Sequence, residues 1–306
     1  MQFKYIEDSH WYITSFITIA ITAAQQFYPI TLEAQLISLL IFGVFIGLPH
    51  GLTDFKYLQL LAWPFHSQST QTLNYLLGGI NYIIIIISFY ILWLLHPTLS
   101  LCLFLATSIL HFGNQDINTY EMSKNRSLHI FTRGFAIIAI PYGNFPETSK
   151  YFNAITNSNF FEHSIIPANM AYLLCILSAA LLYNDKKHRF IFETFIFCIL
   201  FTFVPPILAF TVYFCGWHSF RHYLEISKKF YLRDSHLPLL ICKFTIISMI
   251  VVIIILLILL NFINIDLIYY ENTIILNFFI PLLALNMAHT ILLTVLQARE
   301  HNLNGK

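Results

Sequence analysis

Residues 74–95 read NYLLGGINYIIIIISFYILWLL, and no charged side chain interrupts them. As a helix this stretch is roughly 33 Å long at about 1.5 Å per residue, enough to cross a hydrocarbon layer about 30 Å thick. Phe244 to Leu260 is a second run of the same kind. Working outward from these two, ten apolar segments can be drawn: 11–28, 35–56, 74–95, 99–117, 128–145, 164–183, 190–204, 207–226, 238–262 and 274–297. The fifth carries Arg133 and Pro141, and the seventh is short and stops at Pro205-Pro206. The expected fold class is all-α, a polytopic transmembrane helix bundle of about ten spans (eight to ten), with residues 1–306 as one integral-membrane domain.

Composition agrees. Of the 306 residues, 58% are hydrophobic and 10% are charged, against about 25% charged in soluble domains. Mean hydropathy is +0.70. These values exclude a disordered chain, a nucleic-acid binder and an ordinary soluble globule. Net charge is +1, so no polybasic surface recruits the chain to lipid or nucleic acid. Cys102, Cys175, Cys198, Cys215 and Cys242 all lie in apolar runs without CxxC or disulfide-framework spacing, and are expected to be small buried hydrophobes.

Orientation follows from the basic residues. With the N-terminus cytoplasmic and all ten segments crossing, every Lys and Arg except Lys150 falls at a cytoplasmic end. That bias is the positive-inside pattern, and it predicts cytoplasmic N- and C-termini in a multi-pass cell (inner) membrane protein. The first segment has a signal-peptide-like Thr22-Ala23-Ala24, but Glu7 and Asp8 occupy what would be its basic leader. It is expected to remain as an anchor. The loops are short, so chemistry must sit in the helices.

The chain has 13 histidines. His10, His66, His96, His129, His163, His188, His236 and His301 fall in loops or near span ends, where a solvated or interfacial role is expected. His50, His111, His218, His222 and His289 fall inside the second, fourth, eighth and tenth segments, between 11 and 15 residues from the outer ends. That spread is roughly 6 Å of depth, so five imidazoles share one layer. His218 and His222 are i and i+4 on one helix face, a spacing that suits two ligands of one metal. Asp54 follows His50 by four residues and Asp116 follows His111 by five; either can support an imidazole or sit solvated at the interface. Arg221 and Glu225, again i and i+4, are expected to pair. Gly43, Gly47, Gly51 and Gly113 allow close helix approach, and Pro49 predicts a bend or thinning of the second span at His50.

Three motifs stand in order on separate apolar segments: Gly47-Leu48-Pro49-His50-Gly51-Leu52-Thr53-Asp54, His111-Phe112-Gly113-Asn114-Gln115-Asp116 and Trp217-His218-Ser219-Phe220-Arg221-His222. Together they resemble the Brp/Blh family of membrane β-carotene 15,15′-dioxygenases, over about residues 35–297. The resemblance implies Fe(II) held by His50, His111, His218 and His222 as the catalytic metal site. It implies β-carotene and O2 as substrates, taken up from membrane lipid, with central cleavage to two all-trans-retinal. A retinal-binding rhodopsin is the implied recipient of the product. His289 matches the family's C-terminal His with Ala288 in place of Pro. It stands as a fifth ligand, a support for one, or a pocket wall. Leu52 stands where the family has a small Ala. Tyr213, Phe214 and Trp217, beside the His pair, are expected to line a polyene pocket. Two other classes compete: a b-type haem protein, with axial histidines on facing helices, and a proton-coupled transporter with His/Asp relays. A di-iron desaturase-like enzyme would need several HxxxH boxes, and only His218–His222 has that spacing.

Overall fold

In lipid, only a helix or a closed barrel satisfies every backbone donor and acceptor, and every regular element among the described residues is helical. The computed structural model describes residues 2–62, 68–120, 124–162, 168–183, 185, 187–229, 243, 246, 247, 250, 280 and 283–296. The elements are α1 (Gln2–Phe27), α2 (Leu32–Phe42), a π-helix (Gly43–Gly47), α3 (Leu48–Leu52), α4 (Asp54–Ala62), α5 (Gln68–Leu95), α6 (Pro97–Thr119), α7 (Arg126–Asn144) and α8 (Pro146–Thr156). A single 3-10 turn (Phe160–Glu162) leads to α9 (Ala168–Tyr183), α10 (His188–Phe203), α11 (Pro206–Thr211), a second π-helix (Val212–Ser219) and α12 (Phe220–Lys229). The last described helix is α13 (Leu283–Leu296).

Proline and asparagine punctuate these elements. Pro97, Pro146 and Pro206 each open a helix, where the missing N–H costs nothing and the fixed φ is already helical. Asn125 and Asn157 take φ of 50° and 48°, a left-handed conformation that asparagine tolerates better than most residues. They stand before α7 and after α8.

Among the described residues, three stretches are long and apolar enough to cross a membrane: Leu32–Leu58, Thr72–Leu95 and Pro97–Thr119. Ala168–Tyr183 and Leu283–Leu296 are apolar but shorter. Most of the ninth expected span, 238–262, lies outside the described residues, as do His66, His163, His236, His301 and Cys242. Helix α1 begins well before residue 11, so Glu7 and Asp8 are helical; they pair with Lys228 and Arg189.

The chain divides into two compact units. The first comprises residues 1–50, 109–151 and 161–249. Its core is built around Phe135, Ile140, Phe197, Leu200, Tyr213 and Trp217. Within it α7 packs on α9 and α10, α1 on α10, and α2 on α11. The second comprises residues 51–108, 152–160 and 250–306, with α4 packed on α5.

Glycine sets the closest approach in the first unit. A Cβ built on Gly113 of α6 would overlap the backbone carbonyl of Ile130, and one on Gly134 of α7 would overlap that of Ile109. The two helices touch main chain to main chain at that level. Gly43 and Gly51 differ from the packing expected of them: among the described residues nothing lies within 4 Å of a Cβ there.

Candidate metal centre

The centre begins with two irregular helices. Pro49 has no N–H to return to the preceding turn, and the backbone before it widens into the π-helix Gly43–Gly47. The second π-helix, Val212–Ser219, contains His218. π-Turns of this kind recur at functional sites because they re-aim side chains relative to an α ladder. Side chains serve a carbonyl in each. His50 Nδ1 donates to the Gly47 carbonyl, and His10 Nε2 donates to the Gly216 carbonyl at 2.8 Å. A carbonyl only accepts, so the His50 proton sits on Nδ1 and the Nε2 lone pair is the one directed elsewhere. A backbone carbonyl orienting the ring in this way is the usual support of a metal-bound histidine.

Within the first unit His50, His111, His218 and His222 come together, all nearly or completely buried. The His218 ring centroid is 5.0 Å from that of His111 and 5.5 Å from that of His50, and His50 is 5.3 Å from His222. His111 Nε2 and His218 Nε2 stand 3.3 Å apart. Two nitrogens each about 2.1 Å from a shared ion, at angles of roughly 90–110°, are about 3.0–3.4 Å apart. The pair therefore fits joint coordination. Among the described residues, no group of three or more His, Cys, Asp or Glu side chains is placed to hold a metal ion as the rings stand. The fit lies in the donor chemistry, the tautomer of His50 and the Nε2 spacing.

Aromatic rings wall this cluster. Phe214 stacks on His218 at 5.6 Å and 16°, and meets His50 edge-on at 5.2 Å. Phe210 stacks on Phe214 at 5.2 Å and 9°, and Phe112 stands edge-on to His218 at 4.9 Å. Gly47 makes room: its Cβ would lie 2.8 Å from Phe214 Cε1. Tyr213 and Trp217 are placed differently from Phe214. Tyr213 is fully buried with its hydroxyl 3.4 Å from Asp116, and Trp217 donates to Thr18 on α1 at 3.0 Å.

Asp116 is buried in ion pairs with Arg133 and Arg221. Arg221 pairs with Asp116 and Glu193, where local spacing had suggested Glu225; Glu225 accepts from Gln115. Partners on neighbouring elements outcompete the i+4 neighbour, and spacing along one helix carries no information about them. In the second unit His289 Nδ1 donates to Asp54 at 2.7 Å, and Tyr82 donates to the same carboxylate at 2.6 Å. The helix breaks at Thr53, so Asp54 opens α4 and does not continue the face of His50.

Two histidines expected to be solvated or interfacial pack against other protein groups instead. His129 is buried and hydrogen-bonded to Ser178 at 2.7 Å. Half-buried His10 stacks on Phe220 at 4.4 Å. Arg133 and Glu193 had no sequence signal beyond being charges inside apolar segments.

Residues 41–297 match the family model described as beta-carotene 15,15′-dioxygenase. A protein of uncultured marine bacterium 66A03 named beta-carotene 15,15′-dioxygenase is 30% identical over 194 residues, covering 61% of this chain and 67% of that protein. A Halobacterium salinarum protein named probable beta-carotene 15,15′-dioxygenase Blh is 23% identical over 206 residues, covering 59% of this chain and 58% of its own length. No solved structure matches.

Proposed function

From the premise that the chain belongs to the beta-carotene 15,15′-dioxygenase family, we propose that it cleaves the central double bond of β-carotene with O2 at an Fe(II) held by His50, His111, His218 and His222. The net change balances: one C=C and one O2 become two C=O, giving two molecules of retinal. The observation that carries the reading is that four histidines, drawn from three motifs far apart in the chain, meet in one buried cluster inside the matched region.

When bound, iron(II) supplies an open coordination position at which O2 is activated. The protein's own groups do the rest. The Gly47 carbonyl holds the His50 ring with its Nε2 lone pair turned away from that bond. Neutral imidazoles would hold the ion through their nitrogen lone pairs without adding charge to an apolar interior. Phe112 and Phe214 stand against His218 and Phe210 stacks on Phe214; this apolar wall holds a flat polyene by contact area and excludes water. β-Carotene dissolves in the bilayer, so a centre buried among helices receives it from lipid.

The direct test is expression in β-carotene-accumulating cells with chromatography of the pigments. Retinal is the expected product; iron-loaded, folded protein that forms none would overturn the reading. Phe214→Ala probes the substrate wall separately. Its expected effect is a KM for β-carotene about ten- to a hundredfold higher, from the 1.5–3 kcal/mol of a buried aromatic contact, with iron content unchanged. An unaltered KM would remove Phe214 from the wall.

A further inference from the structure

Asp116, Arg133, Glu193 and Arg221 form a closed square of alternating charge. Arg133 Nε is 3.3 Å from Asp116 Oδ2, and Arg133 Nη2 is 3.3 Å from Glu193 Oε2. Arg221 Nη1 is 3.4 Å from Asp116 Oδ1, and Arg221 Nη2 binds Glu193 Oε1. Each guanidinium thus touches both carboxylates. Tyr120 donates to Glu193 and Tyr213 to Asp116. Arg133 lies over the Phe190 and Phe197 rings, and Arg221 over Trp217.

Exposure is 0% for Asp116 and Glu193, 2% for Arg133 and 6% for Arg221. Burying four charges is costly, and an apolar core of equal volume is commonly as stable or more so. Stability alone is therefore a poor reason for such a square in a chain with only 10% charged residues. Its placement offers another. Asp116 is on α6, which carries His111, and Arg221 lies between His218 and His222. The Asp116–Arg221 edge joins the elements that bear three of the four clustered histidines. Arg133 on α7 and Glu193 on α10 hold that edge from the other side.

We propose that the Asp116–Arg221 edge of this square is a positioning device that fixes α6 against the His218–His222 segment and so sets the spacing of His111 and His218, with Arg133 and Glu193 balancing its charge. The inference rests on the reading that these histidines hold a metal. A guanidinium fork has fixed directions, so the Arg221 pairing with Asp116 constrains the rotation of the His218–His222 segment as well as its depth. Without that edge α6 and the His218–His222 segment would lose their direct charged link, and the 3.3 Å Nε2 separation would loosen.

The test uses two double variants of the metal-free, full-length protein, titrated with Co(II) and followed by its d–d absorption. Asp116→Asn/Arg221→Gln and Arg133→Gln/Glu193→Gln each remove one positive and one negative charge, so neither leaves net charge in the core. Only the first cuts the edge between the histidine-bearing elements. It should weaken Co(II) binding by at least about tenfold, the usual scale for losing a support of metal ligands, and shift the absorption bands. The second should bind Co(II) within a few-fold of the parent protein. Equal effects of the two pairs, or none from the first, overturn the positioning role. So does failure of both to accumulate while Ser178→Ala, which breaks a buried hydrogen bond to His129, accumulates normally. If only the first pair fails to accumulate, Arg221→Lys keeps the charge and loses the fork. A tenfold weaker Co(II) complex then supports the inference, and parent-like affinity and spectrum overturn it. Parent protein that binds no Co(II) removes the metal reading itself.

Discussion

His218→Ala should abolish both iron binding and retinal formation. His218 is the ring that joins the cluster: it stands 5.0 Å from His111 and 5.5 Å from His50, and its Nε2 is 3.3 Å from His111 Nε2. Removing it deletes a donor and unstacks Phe214. Loss of a supporting group alone weakens metal binding about ten- to a hundredfold, so loss of a ligand should exceed about a hundredfold. Iron per protein, measured by mass spectrometry after purification, and retinal in a carotene-producing host should both fall to background. His129→Gln provides the contrast. His129 is equally buried but meets Ser178 on α9, so this variant should keep its iron and its product. An iron-replete, active His218→Ala protein would remove His218 from the ligand set. His50, His111 and His222→Ala carry the same expectation.

Gly113→Ala should prevent the folded protein from accumulating. The added methyl would have to occupy the position of the Ile130 carbonyl, and main chain cannot step aside as a side-chain tip can. Overpacking ordinarily costs about 1–3 kcal/mol; separating two helices held backbone to backbone should exceed about 3 kcal/mol. That is a large share of a domain stability of roughly 5–15 kcal/mol. Gly134→Ala meets the Ile109 carbonyl in the same way and should behave alike. Gly43→Ala, with open space around its Cβ among the described residues, should be nearly neutral. Monodisperse yield in detergent and the thermal unfolding midpoint would measure all three. Normal stability of Gly113→Ala would refute the close approach of α6 and α7.

The histidine cluster was legible because membrane burial makes polar residues expensive and therefore informative. His50, His111, His218 and His222 stand out inside apolar segments at similar distances from the segment ends, and the i, i+4 spacing of the last two needs no tertiary knowledge. The close-packing role of Gly113 was legible on a different ground, that small residues let membrane helices approach. The square was not. Arg133 reads in the sequence only as a charge inside an apolar segment, and i, i+4 spacing points Arg221 to Glu225. Its partners Asp116 and Glu193 lie 105 and 28 residues away. The bond between His289 and Asp54 spans 235 residues, and nothing local foretells it. His129 was assigned to the interface by its position near a segment end, while α7 extends past that end and turns it toward α9.

The amino-acid sequence by itself determined that the chain is helical and apolar enough for membrane helices, and which imidazoles fall inside apolar segments, because hydropathy and periodicity are properties of the chain taken in order. Tertiary structure alone decided which rings face one another, where the helix widens to a π-turn, and which carboxylate neutralises which arginine. Those outcomes depend on the rotation and register of one helix against another, and both are set by side chains far apart in the chain.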